Sequence, residues 1–292
     1  MQVMLVYHCS MNRLDRTRQA QVISTLVEGN SIRATARMTN VSKPTILKLL
    51  ADVGRVCAEH QDKTLLNLPC KRIQCDEIWS FCYAKDKNVP ERKQGKFGFG
   101  SVWTWTAICA DTKLVPSWLV APRNLTAAQS FMADLASRLK HRPQITTDGH
   151  KVYLEAIEGA FGSEVDYSML VKIYGNEPQP QDVRYSPAVC LAAQGVRIQG
   201  NPDPKYVSTS FAERQNLTMR MSMRRFTRLT NAFSKKVENL EAAVALHFMY
   251  YNFVRIHKSL RVTPAMAAGM AKRPWELEGI LDLIEQRVYR AN

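Results

Sequence analysis

Three acidic residues sit where chemistry could use them. Asp76 lies in CDEIW, inside a run of β-forming residues, where a carboxylate is costly to bury unless something partners it. Asp148 closes the strand-like piece ITTDGH, and Gly149 directly after it permits a sharp turn. Ligands gather at strand ends of this sort in open sheets. Glu213 stands in SFAERQNLTMRMSMRRFTRL beside five arginines, Arg214, Arg220, Arg224, Arg225 and Arg228. A lone acid in so basic a stretch has two readings. It is a solvated charge paired with a neighbouring arginine, or it holds a cation beside a polyanion that the arginines also hold. Glu77, next to Asp76, competes with it for a ligand role.

Three carboxylates brought together repel one another without a counter-ion. All-oxygen donors favour Mg²⁺, with Mn²⁺ as substitute. Two such ions about 3.5–4 Å apart hold a phosphodiester between them, one activating a water or a DNA 3′-hydroxyl and the other stabilising the leaving oxygen. On a helix turning about 100° per residue, Glu213, Arg220 and Arg224 fall within roughly 20° of one line. Ala212, Met219, Met223 and Phe226 form a separate apolar stripe. Arg214, Arg220 and Arg224 are then candidate ligands for DNA phosphates. Asn216 is placed to orient the Glu213 carboxylate, and His150 either orders the turn after Asp148 or touches a phosphate. All of this requires the three acids to converge, which spacing alone does not establish.

The elements that must position them begin after Pro69. KRIQCDEIWSFCYA reads as a strand; SVWTWTAICA and KLVPSWLVA read as two more, joined at Asp111 and Thr112 into an antiparallel meander. A helix starts at Asn124 or Thr126, with Ala127, Phe131, Leu135 and Leu139 at four-residue steps. The strand QITTD, the helix VYLEAIEGAF and the strand-like DYSMLVKIYG follow. A proline-rich polar insertion spans about 176–205, and a long helical region begins near Ser208. This order suits a mixed sheet with helices on its faces, an α/β fold. Trp79, Trp103, Trp105 and Trp118 lie in the strands; core packing is their expected role, with base stacking the alternative that nothing in the sequence supports. The glycine-rich loop from Lys93 to Gly100 lacks the GK[ST] ending of a phosphate cradle. VENLEAAVALHFMYYNFV is broadly apolar and must be buried, against the sheet or another subunit. Arg255, His257 and Lys258 read as a basic helix end. RPWELEGILDLIEQRV reads as an amphipathic helix and a candidate oligomer contact.

Ahead of Pro69, the segment from Asp15 to Gly29 has Val22, Ile23, Leu26 and Val27 at helical spacing. Ser31 can cap a second helix, SIRATARMT, and Asn40 with Val41 makes a corner. Ser42 caps a third, SKPTILKLLADVGRV, with Pro44 in its first turn. Thr45 and Lys48 point away from the apolar face, where a recognition helix would meet the major groove, and Lys43 lies beside them. This is the pattern of a helix-turn-helix; the alternative is a small helical bundle packed on another domain. The stretch from Ala58 to Pro69 reads as a connection. The expected organisation is a helix-turn-helix region over 1–68, a catalytic domain over 69–262 and a helical tail over 263–292.

The chain has 292 residues and a net charge of +14. Such an excess points to a polyanionic partner, nucleic acid before an anionic membrane surface. No apolar run approaches the roughly 20 residues of a membrane span. The opening MQVMLVYHCSMNR is too short and polar for a secretory signal, and Met11 is a second candidate start. Cysteines at 9, 57, 70, 75, 82, 109 and 190 do not pair as a zinc knuckle or a disulfide framework, so reduced thiols and the cytosol are expected.

CDEIW, TTDGHKVY, the block STSFAERQNLTMRMSMRRFTRLTNAFSKKVENL and YYNFVRIHKSLRVTPA together resemble a bacterial insertion-sequence transposase of the insertion sequence one family. The resemblance runs over about 15–269. It rests on the DG turn before a helix, the acid in its ER-x-N context and the basic helix that leads to FSK. It implies an RNase H-like fold with a DDE triad on Asp76, Asp148 and Glu213, holding two Mg²⁺ ions. It further implies cleavage of element ends and joining of the 3′-hydroxyl to target DNA. Terminal inverted repeats and target DNA would be partners, and a homodimer or larger assembly would form on DNA, at the nucleoid of a bacterial cytoplasm. Members of the family often carry a zinc finger before the helix-turn-helix, and this chain lacks those cysteine pairs. Two rival readings remain: a metal-dependent nuclease that cuts without joining, and a DNA-binding regulator with a dead catalytic domain.

Overall fold

The computed structural model describes residues 14–174, 190–227 and 230–291. Among them, six strands build one sheet in the order β3-β2-β1-β4-β5-β6. β1 (Arg72–Cys82), β2 (Gly100–Cys109) and β3 (Ser117–Ala121) form the expected antiparallel meander. α4 (Leu125–Arg138) then crosses over to β4 (Gln144–Asp148), which pairs parallel with β1. α5 (Val152–Phe161) leads to β5 (Asp166–Tyr174), parallel to β4. β6 (Cys190–Gln199) returns antiparallel along β5. The fold is thus a mixed α/β sheet flanked by helices.

Local chemistry explains several starts. Asn124 caps α4 by accepting from the Ala127 amide. Ser31 and Ser42 likewise cap α2 (Ile32–Thr39) and α3 (Lys43–Thr64), and Asn40 takes the left-handed conformation, φ 51°, that turns the chain between them. Alternation in β1 then serves two cores. Ile73 and Cys75 pack with Phe131, Leu135 and Ile157 of α4 and α5. Ile78 and Cys82 pack with Ala212 and Met219 of α6 (Ser210–Ser222) and with Leu240, Val244 and Phe248 of α7 (Val237–Met249). The broadly apolar α7 is buried as expected.

The structure departs from the sequence reading in five places. First, α3 runs on through much of the supposed connection, because Gln61 is buried and donates to the Cys57 and Ala245 carbonyls, fastening α3 to α7. The two helices touch closely at Gly54, where an added Cβ would lie 2.4 Å from the Ala242 Cα. Second, residues 190–199, assigned to the insertion, form β6; the rest of that insertion up to 189 lies outside the described residues, as does the start with Met11. Third, the basic helix ends at Ser222. Met223 is extended, φ −133° and ψ 103°, and Arg224–Phe226 make a short 3₁₀ turn. The apolar stripe survives, since Met223 and Phe226 are buried, but the straight line from Glu213 to Arg224 does not. Fourth, α9 (Leu277–Ala291) spends its apolar face within the chain. Ile280, Leu281 and Ile284 are buried in the core that α1 (Arg16–Val27) and α3 share, and Arg16 pairs with Asp282 and Glu285. Fifth, Trp79 is 40% exposed; only Trp105 among the four strand tryptophans is fully buried.

Candidate active site

The last pair of the β1–β4 ladder is Gln74 with Thr146. Two residues further on, where the strands part, stand Asp76 and Asp148. Oxygens of Asp76, Glu77 and Asp148 all lie within 4.8 Å of one another. Two of the expected acids therefore meet, and Glu77 joins them.

Each carboxylate is held. Asp76 accepts from the Glu77 amide at 2.8 Å and from Asn216 Nδ2, on α6, at 2.8 Å. Asp148 accepts from the His150 amide at 3.0 Å, closing the turn that the DGH sequence foretells. Glu77 is buried; it accepts from the Tyr153 hydroxyl on one oxygen and from Arg123 Nε at 3.0 Å on the other. The Arg123 guanidinium also lies 3.6 Å from Asp148 and over the Trp103 ring. Among the described residues no other cation is paired with this cluster. Burial first, then the charge of Glu77, pushes the Asp76 carboxyl up to about 7. Burial also raises Glu77, and the Asp148 charge adds to it against the opposing pull of Tyr153 and Arg123. Oxygen donors crowded this closely suit a hard divalent cation.

Glu213 is positioned differently. The N-terminus of α6 is capped from the sheet: Gln74 Oε1 accepts from the Phe211 and Ala212 amides at 2.7 and 3.3 Å, since Thr209 makes no side-chain cap bond. Glu213 then lies a turn from Asn216, near enough for its charge to raise Asp76. Its carboxylate is engaged elsewhere, by Lys172 Nζ of β5 at 2.5 Å and Thr209 Oγ1 at 2.6 Å. Burial works to raise the Glu213 carboxyl, but those two hydrogen bonds outweigh it and hold it below its ordinary value. The partner of this acid is thus a sheet lysine and not an arginine of its own helix. Asn216 binds Asp76 rather than orienting the Glu213 carboxylate.

His150 packs its ring beside Trp105, and burial followed by the nearby Arg123 lowers its pKa. Arg214 and Arg224 are exposed and Arg220 is half-buried. Lys43 and Lys48 are exposed at the start of α3, while Thr45 is half-buried and its hydroxyl is 2.7 Å from that of Ser42. The sequence reading missed Arg123, Tyr153, Lys172 and Gln74. Lys172 carried a signal of the kind that exposed Asp76: a charge inside the apolar run SMLVKIYG. Tyr153 carried none, because an aromatic in the first turn of an amphipathic helix is ordinary core.

No family model matches the chain, and no curated protein matches it. Among solved structures it is similar to the Mos1 strand transfer complex, with 14% identity over 53% of this chain and 58% of that one and a TM-score of 0.24. It is also similar to the piggyBac transposase synaptic complex with hairpin DNA, with 10% identity over 95% of this chain and 73% of that one and a TM-score of 0.39. A third is the Mos1 mariner paired end complex with Mn, at 12% identity, 51% and 57% coverage and a TM-score of 0.23. The chain spans less than two thirds of the Mos1 chains that it matches. These neighbours are transposases.

Proposed function

We propose that this chain is a metal-dependent DNA transposase of the RNase H-like, DDE type, with Asp76, Asp148 and Glu213 as the working metal ligands. The observation that carries the reading is the meeting of Asp76 and Asp148 at the parting of β1 and β4, under a helix that the sheet itself pins through Gln74 and Asn216. The donor set fits Mg²⁺ or Mn²⁺: three carboxylates, one of them raised toward neutrality by burial and then by the Glu77 charge. Two bound ions would supply the activated nucleophile and stabilise the leaving oxygen.

The chain's own groups do the rest. Asp76 and Asp148 bind, held in place by Asn216 and by the His150 amide. Glu77 is a positioning residue, locked between Tyr153 and Arg123, and it fixes the side of the site away from α6. Glu213 joins when Lys172 gives way. Arg214 and Arg220 lie on the same helix as Glu213 and are proposed to hold phosphates of the DNA. Arg224 is proposed to do so from the turn beyond it. Catalysis would rest on positioning and electrostatics more than on proton transfer.

The serine caps, the Asn40 corner and the exposed Lys43 and Lys48 support reading α2 and α3 as a helix-turn-helix for the terminal inverted repeats. Joining two ends to a target calls for a dimer or larger assembly on DNA. The described cysteines 57, 70, 75, 82 and 109 are buried and unpaired, which supports a reducing bacterial cytoplasm.

The test is a plasmid carrying the gene's own flanking DNA, incubated with purified protein and Mg²⁺ or Mn²⁺, with nicked and joined products mapped. Metal-dependent cuts at the element ends, followed by joined products, are expected, and both should vanish in Glu213→Gln and Asp76→Asn. Cuts without joined products would make the chain a nuclease, and tight end binding without cuts would make it a regulator.

A further inference from the structure

Past Asp76 the sheet narrows. β4 pairs with β1 only at Arg72–Gln74, so among the described residues β1 has β2 alone beside it from Glu77 to Phe81, and at Cys82 it meets Ser234. Trp79 and Phe81 follow Glu77 on the same face, at steps of about 7 Å. Neither is covered as a core side chain would be: Trp79 is 40% exposed and Phe81 is half-buried. Their rings lie 5.7 Å apart at 32°, and Phe233 continues the row, 4.5 Å from Phe81 at 34°. The chain after α6 is tied to the end of β1 to bring Phe233 there: the Tyr83 amide donates to the Ser234 carbonyl at 2.9 Å.

These rings form one wall of a cavity of about 1040 Å³, and cations stand around it, Lys85, Arg220 and Arg225 among them. Among the described residues no carboxylate lines it. Arg225 is half-buried and donates to Ser234 Oγ at 2.5 Å, and no carboxylate pairs with it among the described residues. A half-buried guanidinium with no carboxylate beside it is open to an anion from outside. Aromatic faces beside an arginine that no described carboxylate pairs with are what unpaired nucleic acid asks for. In a duplex the bases are stacked on one another, whereas a free base has a face to offer and a phosphate to go with it.

We propose that this cavity holds an unpaired nucleotide of a DNA strand, its base against Trp79, Phe81 and Phe233 and its phosphate on Arg225. The inference rests on the reading of the chain as a DNA-processing enzyme and deepens it: the row begins one strand step from Glu77, so the nucleotide lies next to the acids. A strand opened near the cut has a place to go, and the site prefers frayed or flapped ends to intact duplex.

The test uses the full chain in EDTA, with oligonucleotides that carry 2-aminopurine either in a single-stranded flap or inside a blunt duplex. The flap should bind roughly tenfold tighter than the duplex, with its fluorescence quenched by stacking. Trp79→Ala should lose about tenfold in flap affinity and most of the quench, while Trp79→Phe, which keeps a ring, should retain both. Circular dichroism of each variant controls for folding. Equal affinity for flap and duplex, or a quench untouched in Trp79→Ala, would overturn the proposal, as would displacement of the flap by an acidic, aromatic peptide and not by a second oligonucleotide. Plasmid cleavage is measured on the same wild-type preparation. Quenching without cleavage sinks the catalytic reading alone, and cleavage without quenching sinks this one alone.

Discussion

Lys172 Nζ of β5 lies 2.5 Å from the Glu213 carboxylate of α6. The ammonium thus stands where a metal would have to approach that acid. Both side chains are partly exposed, 30% and 44%, so the pair is worth only about 0–1 kcal/mol. Lys172→Met should therefore raise Mn²⁺ affinity modestly, roughly two- to fivefold, as read by electron paramagnetic resonance titration. A fall in affinity would mean that Lys172 helps to assemble the site instead of competing for it.

Asp76 makes stability depend on pH. Its folded pKa of about 7 lies above its ordinary value, so the folded chain keeps a proton that the unfolded chain releases. Stability from this group is full at low pH and is lost as pH rises from about 4 through 7. In EDTA the melting temperature should fall over that window. Asp76→Asn should flatten the fall and be more stable than wild type at pH 8, by roughly 1–3 kcal/mol. Differential scanning fluorimetry across pH decides it, and parallel curves for the two proteins would refute the assignment.

Glu77 and Arg123 should couple. Arg123→Ala leaves a buried carboxylate with one partner fewer and should destabilise by about 2–3 kcal/mol. Glu77→Gln in the same chain removes the stranded charge and should restore a large part of that loss. Urea unfolding of the two single variants and the double variant gives the coupling; additive losses would show that Arg123 stabilises by other contacts.

Gly54 is required by packing and not by backbone conformation. Any side chain there meets Ala242, so Gly54→Val should cost about 1–3 kcal/mol or more through overpacking. Thermal unfolding measures it. An unchanged melting temperature would mean that α3 and α7 can separate without penalty.

Much of the site was legible because its signals are local. A carboxylate inside a strand marked Asp76, and a glycine turn marked Asp148. Ser31, Ser42 and Asn124 announced helix starts through their own side chains. What escaped depends on distant neighbours. Nothing near Glu213 in sequence foretells Lys172, which reaches it from another strand. The helix was read through Met223 because its spacing stays helical, yet the chain turns extended there and still buries Met223 and Phe226. The segment AEHQDKT looked like a linker, yet Gln61 buried against α7 and His60 packed on Phe253 and Trp275 hold it as helix. β6 hid because nearly every residue it contains is exposed on a sheet edge, which leaves no apolar alternation to read.

The close seat of α3 on α7 has a mechanical consequence. From the exposed lysines at the head of α3, a continuous helix runs on to Gly54 and Gln61, which lock it to α7, a helix packed on the sheet that carries the acids. DNA gripped by the lysines would meet the acids at a set separation and a set rotation about the duplex. On the proposed function such a body would act as a calliper: the interval between the bases read and the bond cut would be recorded in side-chain packing, and inserted base pairs would shift the cut along the sequence without changing how firmly the DNA is held.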